Sequence, residues 1–328
     1  MPENRLMGAF VESAFSLRSR RGVRDIMDIW NWLPMVPYRL PRSRTTCPLC
    51  GSEDTESLAD LDRRFKRLSH VKCGQCGLVR QFPLPTPEAL ADYYATEYRA
   101  DYQGQSAAPT EHHIAKRRKE AERRLGILRP LLSPGAAILD CGCGSGEFLE
   151  ILSEQGYQAA GFEPGRGYAT YAREDRGLDV TCAGYSDYTP QRSFDAATSF
   201  HVFEHLVDPM EAFARLAAFV GPEGLVYIEV PNMENALAKG FGCLHLAHTI
   251  GFTRPTLELM AARHGFAVAV VEDSYDIGMV FRRGQPRDLD EIMADGRAAL
   301  ARWNRATVHR QFWRYSFGKV LPGRRSIQ

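Results

Sequence analysis

The run Asp140-Cys141-Gly142-Cys143-Gly144-Ser145-Gly146 sets three glycines at alternate positions directly after an acid. The apolar stretch 136–139 before it reads as a buried parallel strand, and a helical pattern starts at Glu147. Glycines so spaced let the chain turn sharply and let a ligand lie against bare backbone. The spacing also separates ligands. A dinucleotide turn is G-x-G-x-x-G, but its last glycine would fall on Glu147 counting from Gly142, or on Leu149 counting from Gly144. Nicotinamide and flavin dinucleotides are disfavoured. A second acid, Glu163, lies 163 − 140 = 23 positions after Asp140 and closes the strand candidate 157–162. An acid about 20 residues beyond such a turn sits at the next strand tip and accepts from ribose hydroxyls.

The second chemical group is Cys47-Pro48-Leu49-Cys50 with Cys73-Gly74-Gln75-Cys76, two knuckles separated by residues 51–72. This spacing matches a four-thiolate zinc site, and four protein ligands make it structural rather than catalytic. Cys141, Cys143, Cys182 and Cys243 lie in or beside apolar runs and read as small buried thiols. The third group is His201, Glu204 and His205, followed by His245 and His248 in a long insert, 231–252. His245 and His248 are three apart, so on a helical turn they would share one face.

The elements that must position these groups alternate. Strand candidates 157–162, 178–182, 194–200 and 224–230 follow the first, and 267–272 and 277–282 close the series. Asp-x-Gly-x-Gly-x-Gly, Gly161-Phe162-Glu163-Pro164, Phe194-Asp195-Ala196-Ala197 and Glu204-His205-Leu206-Val207-Asp208-Pro209 occur in that order. Together they resemble the class I S-adenosylmethionine (SAM) methyltransferases, in the broad family that includes the ubiquinone-biosynthesis enzymes. The resemblance covers about residues 115 to 284. It implies an α/β fold, a Rossmann-like seven-stranded sheet with helices on both faces. It also implies SAM held by Asp140, Gly142, Gly144, Gly146, Glu163, Asp187, Phe200 and His201. The stretch from Cys76 to Tyr94 resembles bacterial methyltransferases in which a zinc ribbon precedes the catalytic domain, several of them in surface-polysaccharide or sugar pathways.

The implied reaction is an in-line displacement at a sulfonium methyl. The protein supplies alignment, plus a base when the acceptor is a hydroxyl. In the resembling sugar C-methyltransferases a histidine in the insert serves as base, with a glutamate before it; here Leu244 precedes His245. The expected base is His245 or His248, with Glu204 and His205 next. The run 201–205 with a later histidine also resembles the metal-assisted 2′-O-methyltransferases of small RNAs, although those carry glutamate at its first position. A second metal is left open. Tyr94, Tyr98 and Tyr102 are candidates for the acceptor or cofactor mouth, or for packing.

Five segments follow: a helical arm (1–45), the zinc ribbon (46–82), a helical linker or lid (83–125), the methyltransferase domain (126–284) and a helical tail (285–328). The arm packs on the body or rests on a membrane surface, and a single helical pattern, 288–314, covers the core or joins a homo-oligomer. With 41 basic against 40 acidic residues, no global field points to nucleic acid or membrane. No apolar run has the 18 or so residues of a spanning helix, and no signal-peptide pattern opens the chain. The expectation is a cytoplasmic enzyme with a small, sugar-type acceptor. The alternative is an RNA methyltransferase reading nucleic acid through Arg63, Arg64, Lys66 and Arg67 of the ribbon.

Overall fold

The computed structural model describes residues 34–96, 111–273 and 275–320. Most of the arm, together with Tyr98 and Tyr102, lies outside the described residues. The first part is a small β module: β1 (Arg42–Arg44), β2 (Thr55–Leu61), β3 (Arg67–Cys73), β4 (Val79–Gln81) and β5 (Leu84–Pro85). Two helices follow, α1 (Pro87–Thr96) and α2 (Glu111–Leu128).

The main sheet takes β6 (Ala137–Cys141), β7 (Gln158–Phe162), β8 (Val180–Thr181), β9 (Phe194–Phe200), β10 (Val220–Pro231), β12 (Phe266–Asp273) and β13 (Asp276–Arg283). These are the strands that apolar runs ending in Gly, Asp or Glu turns predict. Their order across the sheet is β12-β13-β10-β9-β6-β7-β8. The strands from β8 to β10 are parallel, and the β12–β13 hairpin joins antiparallel at one edge. Chain order reverses between β6 and β9, which is where such sheets open a crevice for ligands.

Each face carries its own apolar layer. On one side α2 and α3 (Glu147–Glu154) bury Leu125, Leu128, Phe148 and Leu152 against Ile138 and Tyr227. On the other, α5 (Pro209–Phe219) and α7 (Arg254–Ala262) bury Phe213, Leu216, Leu257 and Met260 against Val226 and Ile228. Between them lie α4 (Arg166–Thr170) and, after β10, α6 (Met233–Leu237).

Two findings depart from the sequence reading. The insert contributes β11 (Ile250–Gly251), which pairs antiparallel with β4, so the small sheet runs β11-β4-β3-β2. The tail is two helices, α8 (Leu289–Ala299) and α9 (Arg305–Val320), not one. The break has a local cause. Asn304 accepts from the Thr307 amide at 3.0 Å while the Thr307 hydroxyl accepts from the Asn304 amide at 2.8 Å, a reciprocal cap that starts a new helix. The tail covers the core: Ile292 of α8 joins the main apolar layer, and Phe312 of α9 stacks on Phe241 of the insert at 3.7 Å. Among the described residues no helix is long and apolar enough to cross a membrane.

Candidate active site and cysteine centre

The glycine turn sits at the carboxyl end of β6. Gly142, Gly144 and Gly146 all adopt positive φ, +80°, +57° and +88°, a conformation that a side chain resists. Space differs among them. A Cβ on Gly142 would come 2.6 Å from Val202, and one on Gly146 would run into Leu178, whereas one on Gly144 would meet nothing within 4 Å. Packing therefore demands the outer two glycines, and the middle one turns bare backbone to open space. Glu163 braces the turn, accepting from the Gly144 amide at 3.2 Å and the Gly165 amide at 2.8 Å. Asp140 is buried and accepts from the Thr198 hydroxyl at 2.7 Å; burial pushes its carboxyl up to about 7. Tyr185 and Ser199 share a hydrogen bond of 2.7 Å beneath the turn, and Ser199 also donates to the Cys141 carbonyl at 3.2 Å. Phe200 packs edge-on to Phe148 and Tyr227, with the Arg124 guanidinium 4.2 Å from its ring centre. Asp187 is exposed in the turn after β8, its amide bonded to the Gly184 carbonyl at 3.2 Å.

His201 directly follows β9 with φ +56°, strained for a residue bearing a side chain. Its ring lies among three carboxylates: Glu204 at 3.5 Å from Nδ1, and Glu229 at 3.3 Å and Asp276 at 3.7 Å from Nε2. Burial disfavours the imidazolium, but Glu204 and Glu229 outweigh it and raise the ring to about 9. Glu229 is 1% exposed and also meets Arg123 and Arg124 of α2, each at 2.5 Å. Burial opposes its charge too, yet His201 and the arginines hold it far below the usual carboxylate range. His201 is thus a fixed cation near neutral pH rather than a base.

The insert histidines face the same region. His205 Nδ1 lies 2.8 Å from the Ala247 carbonyl and 2.7 Å from the Tyr94 hydroxyl, which itself donates to Ala247 at 3.0 Å. A carbonyl only accepts, so Nδ1 carries the proton and Nε2 faces Glu204 at 3.9 Å. The His205 and His248 rings are 4.9 Å apart, those of His248 and His245 3.9 Å. Burial first, then neighbouring positive charge, lowers both insert histidines well below the ordinary imidazole value. Glu204 is 2% exposed, and its Oε2 is a buried oxygen with no hydrogen-bond partner. One donor atom each from Glu204, His205 and His248 falls within 4.8 Å of the others. The expectation of a helical turn over His245 and His248 is corrected. The His248 amide bonds to the His245 carbonyl at 3.1 Å in a single tight turn, and the two rings meet all the same.

The four knuckle cysteines converge as well. Their sulfurs all lie within 4.8 Å of one another, with Cys47–Cys76 at 3.6 Å and Cys50–Cys73 at 3.5 Å. Tetrahedral bonds of about 2.3 Å would set sulfurs roughly 3.8 Å apart, so the donor set fits a tetrahedral cation. Arg80, 0% exposed, lies beside this centre, and its Nε and Nη1 have no oxygen acceptor. Buried guanidinium donors so placed suit sulfur in the thiolate form. Of the remaining cysteines, Cys182 is exposed, contrary to the buried-thiol reading, because β8 is a two-residue edge strand.

Sequence reasoning missed Glu229, Asp276, Arg123 and Arg124. The signal for Glu229 was present: a single acid inside the apolar run Leu225–Val230. Nothing local marks Arg123 and Arg124 among the many charges of α2.

Comparison with known proteins agrees with this geometry. Residues 112–271 match a family model described as a methyltransferase domain. Among curated proteins, the chain is 26% identical over 254 residues to the C-methyltransferase NovU of Streptomyces niveus, covering 74% of this chain and 55% of that protein. It is 31% identical over 103 residues to a ubiquinone biosynthesis O-methyltransferase of Bradyrhizobium diazoefficiens, covering 30% and 41%. The chain thus spans about half the length of these relatives. Among solved structures, the 1,6-didemethyltoxoflavin-N1-methyltransferase of Burkholderia thailandensis aligns with a TM-score of 0.48 at 16% identity, covering 66% of this chain and 96% of that one. Residues 112–271 thus match a methyltransferase domain.

Proposed function

We propose that the chain transfers the methyl group of SAM to a small polar acceptor of sugar type, such as a nucleotide sugar or glycan, with a histidine of the Glu204–His205–His248 group taking the acceptor's proton. The observation that carries this reading is adjacency. Val202 packs over Gly142 of the cradle, and the base group begins two residues further on at Glu204. The open side of Gly144, the braced Glu163 and the aromatic Phe200 suit the cofactor, with Asp140 bracing the floor and Asp187 at the rim. His201, a positive charge enclosed by Glu204, Glu229 and Asp276, completes the cofactor side. His205 is the favoured base, because Tyr94 and the Ala247 carbonyl orient it and Glu204 would stabilise its protonated form. His245 is buried and His248 half-buried, both are neutral, and they shape the acceptor wall or relay the proton. NovU is named a C-methyltransferase and the ubiquinone relatives O-methyltransferases, so the proton leaves either a carbon or a hydroxyl.

The four cysteines are read as a structural zinc site: Cys47, Cys50, Cys73 and Cys76 would hold the ion, and Arg80 would offset the charge of the thiolates. An RNA acceptor has less support. Lys66 is buried beside the Tyr38 ring, so the ribbon's basic residues do not share one surface. The chain with SAM labelled in its methyl group, offered nucleotide sugars, glycans, phenols and RNA, should label the sugar-type acceptors. Label appearing only in RNA or phenols would overturn the acceptor reading, and failure to bind S-adenosylhomocysteine (SAH) would overturn the cofactor.

A further inference from the structure

The turn that carries His245 and His248 is held from behind by one side chain of the ribbon. Gln81, at the end of β4, is 0% exposed, and its Nε2 lies 3.3, 2.8 and 3.0 Å from the carbonyls of His245, Leu246 and His248. Its main-chain amide donates to the Thr249 carbonyl at 2.9 Å. Arg42 of β1 donates to Gln81 Oε1 at 3.0 Å. A guanidinium only donates and the three carbonyls only accept, so the amide has one admissible orientation. Next to Gln81, β4 pairs with β11 at Arg80–Ile250 and Val79–Gly251. A four-residue turn with no helix of its own thus has three of its carbonyls tied to a single buried amide.

We infer that Gln81 is a positioning residue for methyl transfer: it fixes the His245–His248 turn against the acceptor, so the ribbon is a structural part of the acceptor site. This inference rests on the proposed function for its kinetic consequence and on the hydrogen bonds alone for its structural one. Gln81→Met keeps the size of the side chain and removes its donors. Gln81→Glu puts a carboxylate opposite three carbonyls, which is tolerable only when protonated to an O–H donor.

The experiment compares the 328-residue chain with both variants in three readouts: SAH affinity by calorimetry, the pH titration of histidine ring resonances by NMR, and turnover on the nucleotide sugar that the wild type labels best. Gln81→Met should titrate His245 or His248 at higher pH than the wild type as the turn opens to water. It should lose about 10- to 100-fold in kcat, the scale of a displacement near 1 Å, with SAH affinity within about twofold. Gln81→Glu should regain turnover, relative to wild type at the same pH, as pH falls. Unchanged histidine titration in both folded variants would overturn the inference, as would a loss of SAH affinity parallel to the loss of turnover. If the wild type labels no nucleotide sugar, the acceptor reading fails while the titration still decides the role of Gln81.

Discussion

The two sides of the proposed crevice, one read as holding the cofactor and the other the acceptor, are built in opposite ways. The cofactor side is almost wholly local: Asp140 to Gly146 is one continuous turn, braced by Glu163 at the tip of the neighbouring strand. The acceptor side is assembled at long range. His205 comes from the short turn Phe203–His205 after β9, His248 from the insert, Tyr94 from α1 and Gln81 from the ribbon. A local turn can be specified by the order of a few residue types. A long-range cluster exists only if every contributing segment is in place, so damage far along the chain should reach it.

The sharpest way to break this contrast is to attack the turn directly. Gly144→Val forces a branched side chain into φ +57° and fills the open space before the turn. It should weaken SAH binding by more than about 10²-fold, some 3 kcal/mol, and lower melting only by the backbone strain of about 1–3 kcal/mol, as measured by calorimetry beside thermal unfolding. Gly146→Val should lower melting further, because a clash of its Cβ with Leu178 adds to the same backbone strain. On the other side, His205→Ala should cut turnover by about 10²-fold with SAH affinity within a few-fold. Steady-state and single-turnover rates on the labelled acceptor check this, and near wild-type rates would move the base role to His248 or His245.

A smaller and more telling effect concerns the cysteines. Cys47→Ser or Cys76→Ser should release bound metal, detectable by elemental analysis, and lower the melting temperature by about 5 °C or more, since thiolate–metal bonds are also folding energy. The comparison predicts a split in whatever protein remains folded: SAH affinity near normal, turnover reduced through the β4–β11 pairing. Equal loss of both would show that the two sides are not separable.

The smallest effect is in pH. His201 is raised to about 9 in the fold, against about 6.5 when unfolded. Its contribution to stability is then complete below about pH 6.5 and is lost as pH rises through 9. Melting of the wild type should therefore fall between these values, and His201→Gln should flatten that slope.

The same contrast explains what the sequence made legible. The seven strands and the glycine turn show in residue order, because strand burial and positive φ act on neighbouring residues. The cysteine knuckles are equally plain, since two thiolates separated by two residues and followed by Gly51 or Gly77 at positive φ form a unit on their own. The acceptor side was legible only in part. His205, His245 and His248 stand out by type, but nothing local says that Gln81 would bind their backbone or that Arg123 and Arg124 would reach Glu229 across the sheet edge. Those contacts come from the β11 pairing and the packing of α2, which are properties of the assembled chain.

The meeting of Gly77 and Gly296 has a practical meaning for anyone moving this ribbon between proteins. A Cβ on Gly77 would strike the Gly296 carbonyl, and one on Gly296 would strike the Cys76 carbonyl, so knuckle and α8 touch backbone to backbone. Arg297 also donates to the Gln75 carbonyl at 2.6 Å. The first and last parts of the described chain are in this sense a single clasp. A ribbon grafted onto another methyltransferase without its tail would bare the main chain of the second knuckle, and a tail swapped in with any larger residue at 296 would not close on it. The transplantable unit is the pair.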